Sequence, residues 1–528
     1  MPTSFMRHQL PSGGMATNAP SDQIPEVTSP NLLNVRFKFD EIRPAPGRAT
    51  LQPAVESTIR TICRFSVDDK TKWIVLITDT ALYKWGDTAP GSPAQWFKAS
   101  GVTFQGSGRW DWTTGEDCLF FARQDGGGIY RWRGGANAVD MVPGAPSNVR
   151  FVTYFNNRLL AANVVESGQT WDNRVRYPVN GDHTNWTGNG SGFIDFYEPE
   201  QEPITGIKVL LNRAVVFREH SIAELSASGS TAQVFYMEQR TGNVGCPFPY
   251  TIDSNGIVIM FMGNDGNVWA WNGASLQSIG DALKKNFEFV VDFVGGHDVY
   301  YGKVYPFENE YWLWLGAEYL YILDLGQGRW TLEDKASQIT AIGDGELYVT
   351  PNNWGAAQGS WGSWGKTMWS SMTSRAVSRL IAGLSDNSTI SIGRDVVGRY
   401  DGSVIDSFIE TKDFYANQSN NPLGVKDPIG PMMMRTIERL TLIYQYNNDV
   451  DLFELGISTD RGRTWQTRVL QPSTVGFSLT DWKITGPIAR FRVRQSSVLP
   501  VFRWQGLVEE YVPGGPYKAL EQIPAIRP

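Results

Sequence analysis

The sequence predicts an all-β protein: a β-propeller of about six to seven blades followed by a C-terminal β-sandwich. Three observations predict it. A hairpin of one apolar and one aromatic strand recurs along residues 60–350. Turn formers and aromatics are abundant together, with Gly 54, Pro 29, Trp 20, Tyr 20 and Phe 26 among 528 residues, as many short strands joined by tight turns require. Near residue 400 the texture changes to about six short strands, the number and spacing of one sandwich.

The hairpins justify the propeller in order. Trp73-Ile74-Val75-Leu76-Ile77 leads through Thr78-Asp79-Thr80 to Leu82-Tyr83-Lys84-Trp85. Cys118-Leu119-Phe120-Phe121-Ala122 leads through Asp125-Gly126-Gly127-Gly128 to Ile129-Tyr130-Arg131-Trp132. Ile257-Val258-Ile259-Met260-Phe261 and Val268-Trp269-Ala270-Trp271 flank Gly263-Asn264-Asp265-Gly266. Tyr311-Trp312-Leu313-Trp314-Leu315 and Tyr319-Leu320-Tyr321-Ile322-Leu323-Asp324 complete the set. A continuously apolar strand is buried on both faces, and here it reads as the inner strand between neighbouring blades. The interval of about 40–50 residues matches blade repeats. Further hairpins at 151–164 and 207–225, and a strand at 339–349, bring the count to six or seven. Residues 278–292 break the rhythm, with Ala282, Leu283, Phe287 and Val290 near helical spacing, and read as a short helix.

Four segments follow: a flexible N-terminal arm at 1–30, the propeller at 31–400, the sandwich at 401–512 and a Pro-rich C-terminal arm at 513–528. Both arms lack the alternating apolar pattern that would bury a face, so they are expected to order only against neighbouring copies.

Charge and chemistry narrow the function. The net charge of -7 does not suit a protein that grips nucleic acid by its phosphates. Arg490, Arg492 and Arg494 share one strand face by their period of two and read as a solvated face. Three cysteines, Cys63, Cys118 and Cys246, form no CxxC pair and no closed disulfide set, which suits synthesis in a reducing compartment. The four histidines do not join them at zinc spacing, so no metal or cofactor is expected. No apolar leader region and no membrane-length apolar run is visible. Asp125 and Asp265 lie in hairpin turns and lack EF-hand spacing. The acidic loop Glu198-Pro199-Glu200-Gln201-Glu202 reads as solvated. Without a P-loop, a dinucleotide fingerprint, a zinc-protease motif or a nucleophile elbow, the chain is expected not to be an enzyme.

Two motifs stand out. Ser458, Asp460, Gly462, Thr464 and Trp465 form the S-x-D-x-G-x-T-W pattern of an Asp box, a hairpin motif familiar from sialidase propellers. Ser458 and Asp460 can accept from backbone N–H groups, Gly462 permits positive φ, and Trp465 can pack under the turn. A fold-stabilising hairpin is the expectation. Trp354, Trp361, Trp364 and Trp369 lie among glycines and serines at 352–373 and read as interface aromatics that pack on a neighbouring copy or on the propeller rim. A stacking platform for sugar or single strands is the other reading of that segment.

Residues 151–281 carry a further pattern: Asn157-Arg158-Leu159, Asp182 with Trp186, Gly192-Phe193-Ile194-Asp195, Pro203-Ile204-Thr205-Gly206, and a strand ending Phe217-Arg218-Glu219-His220-Ser221-Ile222. This stretch resembles the propeller proteins of the tail hub and nozzle of short-tailed bacteriophages, the packaged-DNA stabilisation family. The resemblance implies a virion tail protein without catalytic residues, made in the host cytoplasm. It implies a ring of copies, usually a hexamer, below the portal. Such a ring extends the DNA channel, retains packaged DNA, and contacts portal or adaptor and tail-fibre proteins. Double-stranded DNA would pass its lumen without specific binding. The alternative is a glycan-binding or sialidase-like propeller of a tail spike.

Overall fold

The computed structural model describes residues 3–516, apart from 39–40, 53, 68–71, 87–94, 124, 198–200, 231–232, 292–298, 317, 336–337, 350–374, 394–398, 400, 416–432, 446–451, 472–475 and 498–502. Strands dominate them, all antiparallel within their sheets. Seven sheets have four strands each and two have six.

Sheet I holds Ile59–Ser66, Lys72–Thr78, Leu82–Gly86 and Gln95–Lys98. Sheet II holds Asp111–Gly115, Cys118–Ala122, Ile129–Trp132 and Asp140–Met141. Sheet III holds Asn148–Phe155, Arg158–Glu166, Gln169–Tyr177 and Gly192–Asp195. Sheet IV holds Ile204–Leu210, Arg213–Arg218, Ile222–Ala227 and Phe235–Thr241. Sheet V holds Asp253–Ser254, Ile259–Met262, Val268–Trp271 and Leu276–Ser278. Sheet VI holds Tyr301–Tyr305, Glu310–Trp314, Leu320–Asp324 and Arg329–Glu333. Sheet VII holds Ile339–Val349, Arg375–Leu384 and Thr389–Gly393, and its fourth strand is Gly47–Gln52 from the other end of the chain.

Burial explains the hairpin pattern. Every residue of Cys118–Ala122 and Ile129–Trp132 is buried. Leu119, Phe121, Tyr130 and Trp132 meet Cys63, Phe65, Val75 and Ile77 of sheet I. Cys118, Phe120, Ala122 and Ile129 meet Val152, Leu159 and Ala161 of sheet III. Alternate side chains thus serve the two neighbouring sheets. Sheet III meets sheet IV through Leu160, Ala162, Ala214 and Val216. Phe217 of sheet IV and Phe261 of sheet V meet edge to face, their centroids 5.1 Å apart. Sheet VI meets sheet VII through Trp312, Ile322, Leu380 and Ile390. Sheet VII packs back on sheet I through Ala341, Ile381, Ile62 and Leu76.

The apolar strand is the second of its four-stranded sheet, flanked by a strand on either side. A more polar first strand, such as Asp111–Gly115, precedes it. The expected short helix is present as a 3-10 turn at Asp281–Leu283 running into an α-helix at Lys284–Val291. Leu283 and Phe287 anchor it, with Phe287 5.2 Å from the Tyr321 ring.

The six-stranded sheets lie mostly in the C-terminal third. One runs Val35–Lys38, Glu41–Pro44, Arg503–Pro516, Met433–Gln445, Phe477–Gly486, with Ser4–His8 also on Arg503–Pro516. The other runs Leu32–Leu33, Ile405–Glu410, Ile488–Ser497, Phe453–Ser458, Gln466–Leu470, with Phe414–Tyr415 also on Ile488–Ser497. Ile437, Leu440 and Leu442 of the first share a core with Leu455, Ile457, Phe491 and Val493 of the second.

The N-terminal expectation is corrected. Residues 3–30 are not a loose arm within this chain, and strands between 32 and 44 join the C-terminal sheets rather than the four-stranded ones. Their few apolar residues find prepared sites: Leu10, Met15, Ala16 and Ile24 are buried. The backbone of Met15 donates to Trp330 O at 2.9 Å, and that of Thr17 to Ala282 O at 2.7 Å. His8 is buried against Glu509 at 2.7 Å, beside the rings of Phe414 and Phe491. The composition of the segment is low in apolar residues but its contacts are non-local, so local pattern understates its order. Of the proposed C-terminal arm, residues 513–516 end a strand paired to Met433–Gln445, and 517–528 lie outside the described residues.

Candidate functional site

The first strands of the seven sheets converge, and their charged side chains meet there. A first strand is a sheet edge with unpaired N–H and C=O groups. Neighbouring sheets satisfy them. Thr61 of sheet I accepts from Trp110 N at 3.1 Å and donates to its carbonyl at 2.9 Å. Asp111 accepts from Val152 N at 2.9 Å and Thr113 from Tyr154 N at 3.0 Å, joining sheets II and III. Asn163 donates to Ile204 O at 3.1 Å, joining III and IV. Asp253 accepts from Val304 N at 2.8 Å, joining V and VI, and Tyr301 donates to Ile342 O at 2.7 Å, joining VI and VII.

Arg109 ties the convergence together. Its Nη1 donates to Thr340 O at 2.6 Å and to Arg60 O at 3.3 Å, and its Nη2 to Val299 O at 3.5 Å. Tyr250 donates to the Arg109 carbonyl at 3.0 Å. The guanidinium lies 4.5 Å from the Tyr301 ring centroid, a cation–π distance. One planar cation with five donors suits several carbonyls at once, which a lysine could not match.

Six more charges fill the same region in pairs. Lys208 meets Asp111 at 2.9 Å. Lys303 meets Asp253 at 3.2 Å and Asp344 at 3.4 Å, and Arg64 meets Asp344 at 3.3 Å. Burial opposes the charge on Lys303, but the two aspartates outweigh it and hold its pKa above the ordinary lysine range. These six groups pair three cations with three anions, and Arg109 adds a fourth cation. These pairs and hydrogen bonds bind neighbouring sheets together.

The Asp box closes the hairpin between Phe453–Ser458 and Gln466–Leu470. Ser458 Oγ accepts from Gly462 N at 2.8 Å and donates to Asp460 at 2.7 Å. Asp460 accepts from the Thr464 amide at 2.9 Å and its hydroxyl at 2.6 Å. Trp465 Nε1 donates to Gly462 O at 3.0 Å. Gly462 sits at φ +83°, the conformation the motif needs glycine for. Trp354, Trp361, Trp364 and Trp369 lie outside the described residues.

The pattern at 151–281 builds corners. Asn156 and Asn157 turn the hairpin of sheet III at φ +49° and +56°. Arg158 reaches Gly190 O at 2.8 Å, Asp182 accepts from Thr184 N at 3.0 Å, and buried Trp186 donates to His183 O at 2.8 Å. Glu202 is not solvated: it is buried and accepts from His220 at 3.0 Å and Ser221 at 3.0 Å.

The three strand arginines are also not a solvated face. Arg490 is buried and holds Asp413 at 2.7 Å and Glu410 at 3.3 Å. Arg492 holds Glu410 at 2.5 Å and lies 3.9 Å over Trp465, and Arg494 holds Asp406 at 2.7 Å. Asp406 and Glu410 lie on the paired strand, where Phe408 faces Arg494. The acidic period of two in Asp406-x-Phe408-x-Glu410 was the available signal.

Sequence reasoning missed Arg109, Lys208 and Lys303, since each is a lone charge whose partners lie in other sheets. Buried Cys63, Cys118 and Cys246 are free thiols, and burial pushes that of Cys246 up to about 12, away from reactivity. Among the described residues, no group of three His, Cys, Asp or Glu is placed to hold a metal ion, and no helix is long and apolar enough to cross a membrane. Comparison with protein-family models and with curated proteins finds no match.

Proposed function

We propose that the seven four-stranded sheets form a seven-bladed β-propeller and the two six-stranded sheets a β-sandwich, and that the chain is a structural, non-enzymatic subunit of a phage tail hub or nozzle. Closure by Gly47–Gln52 supports the propeller, because the first and last parts of the chain then share one sheet. The observation that carries the scaffold role is the convergence itself. Its charges hold one another and the sheet edges rather than an open cleft.

On this reading the paired charges tie the sheets of one subunit together, and the DNA lumen lies between copies in a ring, with six as the family's usual number. The acidic balance of the chain suits a wall that passes phosphates without holding them. Portal or adaptor proteins and tail fibres are the proposed partners, and the virion tail the proposed location. Native mass spectrometry of the purified chain tests this. A discrete multiple of the subunit mass is expected. A monomer with measurable affinity for a glycan panel would instead favour a tail-spike head.

A further inference from the structure

We propose that the cavity between sheets VI and VII binds a small organic cation, a primary amine carried on an apolar body. The cavity has a volume of about 310 Å³, near the lower bound for small-molecule sites. Tyr305, Trp312, Leu380 and Ile392 supply its apolar walls, and Phe307, 66% exposed, stands at its rim.

Charge sets the class of ligand. Glu308, Glu310 and Arg36 are the charged lining residues, and Glu310 is the buried carboxylate among them. Arg36, 5.4 Å from the Trp312 ring centroid, divides its charge among several groups. It forms an ion pair with Glu333, which also takes Arg48 at 2.7 Å, and donates to Thr331 Oγ1 and Val35 O, each at 3.2 Å. Glu310 receives Trp312 Nε1 at 2.8 Å and only a 3.3 Å approach from Arg36. Burial pushes the Glu310 carboxyl above the usual carboxylate range, with Arg36 only partly opposing. A carboxylate desolvated in this way gains from a second cation. Arg36 already lies over Trp312, and the remaining walls, Tyr305, Leu380 and Ile392, give the ligand's apolar body a place to pack. An organic anion would meet the buried Glu310 carboxylate, and a sugar would leave its hydroxyls against apolar walls without partners.

Isothermal titration calorimetry on the full chain tests the proposal, independently of any ring. The probes are phenethylamine, 2-phenylethanol and 3-phenylpropionate, alike in size and different in charge. Saturable one-site binding of the amine is expected, at least ten-fold tighter than the alcohol, with no binding of the acid. Glu310→Gln keeps an acceptor for Trp312 and should remove the preference for amine over alcohol. Val377→Phe, which fills the cavity, should abolish binding of both, with retained melting temperature showing a folded variant. Equal affinity for amine and alcohol in the parent chain would overturn the proposal. So would amine binding unchanged by Val377→Phe, or no saturable binding at all. If Glu310→Gln does not fold, the probe comparison and Val377→Phe decide.

Discussion

Asp460 accepts three hydrogen bonds, from Ser458 Oγ, Thr464 N and Thr464 Oγ1. Those donors, the Thr464 hydroxyl first, press its pKa down to about 2. A depressed carboxyl stabilises the fold fully above its unfolded pKa of about 3.9, and the contribution is lost as pH falls towards 2. The advantage of the parent chain over Asp460→Asn should therefore fade between about pH 4 and pH 2 in denaturant melts. Solvent screening keeps it small. Asp460→Ala or Trp465→Ala should cost about 1–4 kcal/mol near neutral pH. A variant that keeps its melting temperature and loses a ligand instead would make the box a binding site. The box was legible in the sequence because its partners lie within eight residues. Arg109 was not, because its acceptors at Arg60, Val299 and Thr340 come from three distant segments. Arg109→Ala strands those carbonyls and should cost about 2–4 kcal/mol by chemical denaturation, with Arg109→Lys restoring little of it. An unchanged unfolding midpoint in Arg109→Ala would remove its role as the tie.

In the proposed propeller, the strand Gly47–Gln52 is the element on which closure depends. It pairs with Thr389–Gly393, with Ala49 opposite Ser391 across a separation of 342 residues. Ala49→Cys with Ser391→Cys should form a cross-strand disulfide and stabilise the oxidised chain by on the order of 2–4 kcal/mol, given the long loop it closes. Failure to oxidise under native conditions would show that the strand does not occupy that place. The second and third strands of sheets I, II, V and VI were readable from sequence, since burial on both faces demands unbroken apolar residues. The outer strands were harder: Asp140–Met141 and Leu276–Ser278 are too short to show a period. The strands between 32 and 44 alternate correctly but pair with Ile405–Glu410 and Arg503–Pro516, and no local pattern names a partner that distant.

At the scale of the whole molecule, two groups of sheets are strapped by the N-terminal segment. Ser29 Oγ donates to Glu410 O at 2.7 Å, Asn34 N donates to Leu332 O at 2.8 Å, and Arg490 donates to Ser21 Oγ at 2.6 Å. Removing residues 1–30 should thus expose the buried carboxylates Glu410, Asp413 and Glu509 and lower the melting temperature of the isolated chain. Intact stability after that deletion would return the segment to the role of an arm held by a neighbour. The all-β class was visible in the recurring hairpins and in the abundance of turn formers and aromatics, and the proposed ring of copies rests on the resemblance at 151–281. Negative-stain class averages of the purified chain test that ring most directly. Closed rings of several copies, with a central opening wide enough to pass a DNA duplex between subunits, are the predicted result. Isolated single subunits at every concentration tried would contradict it.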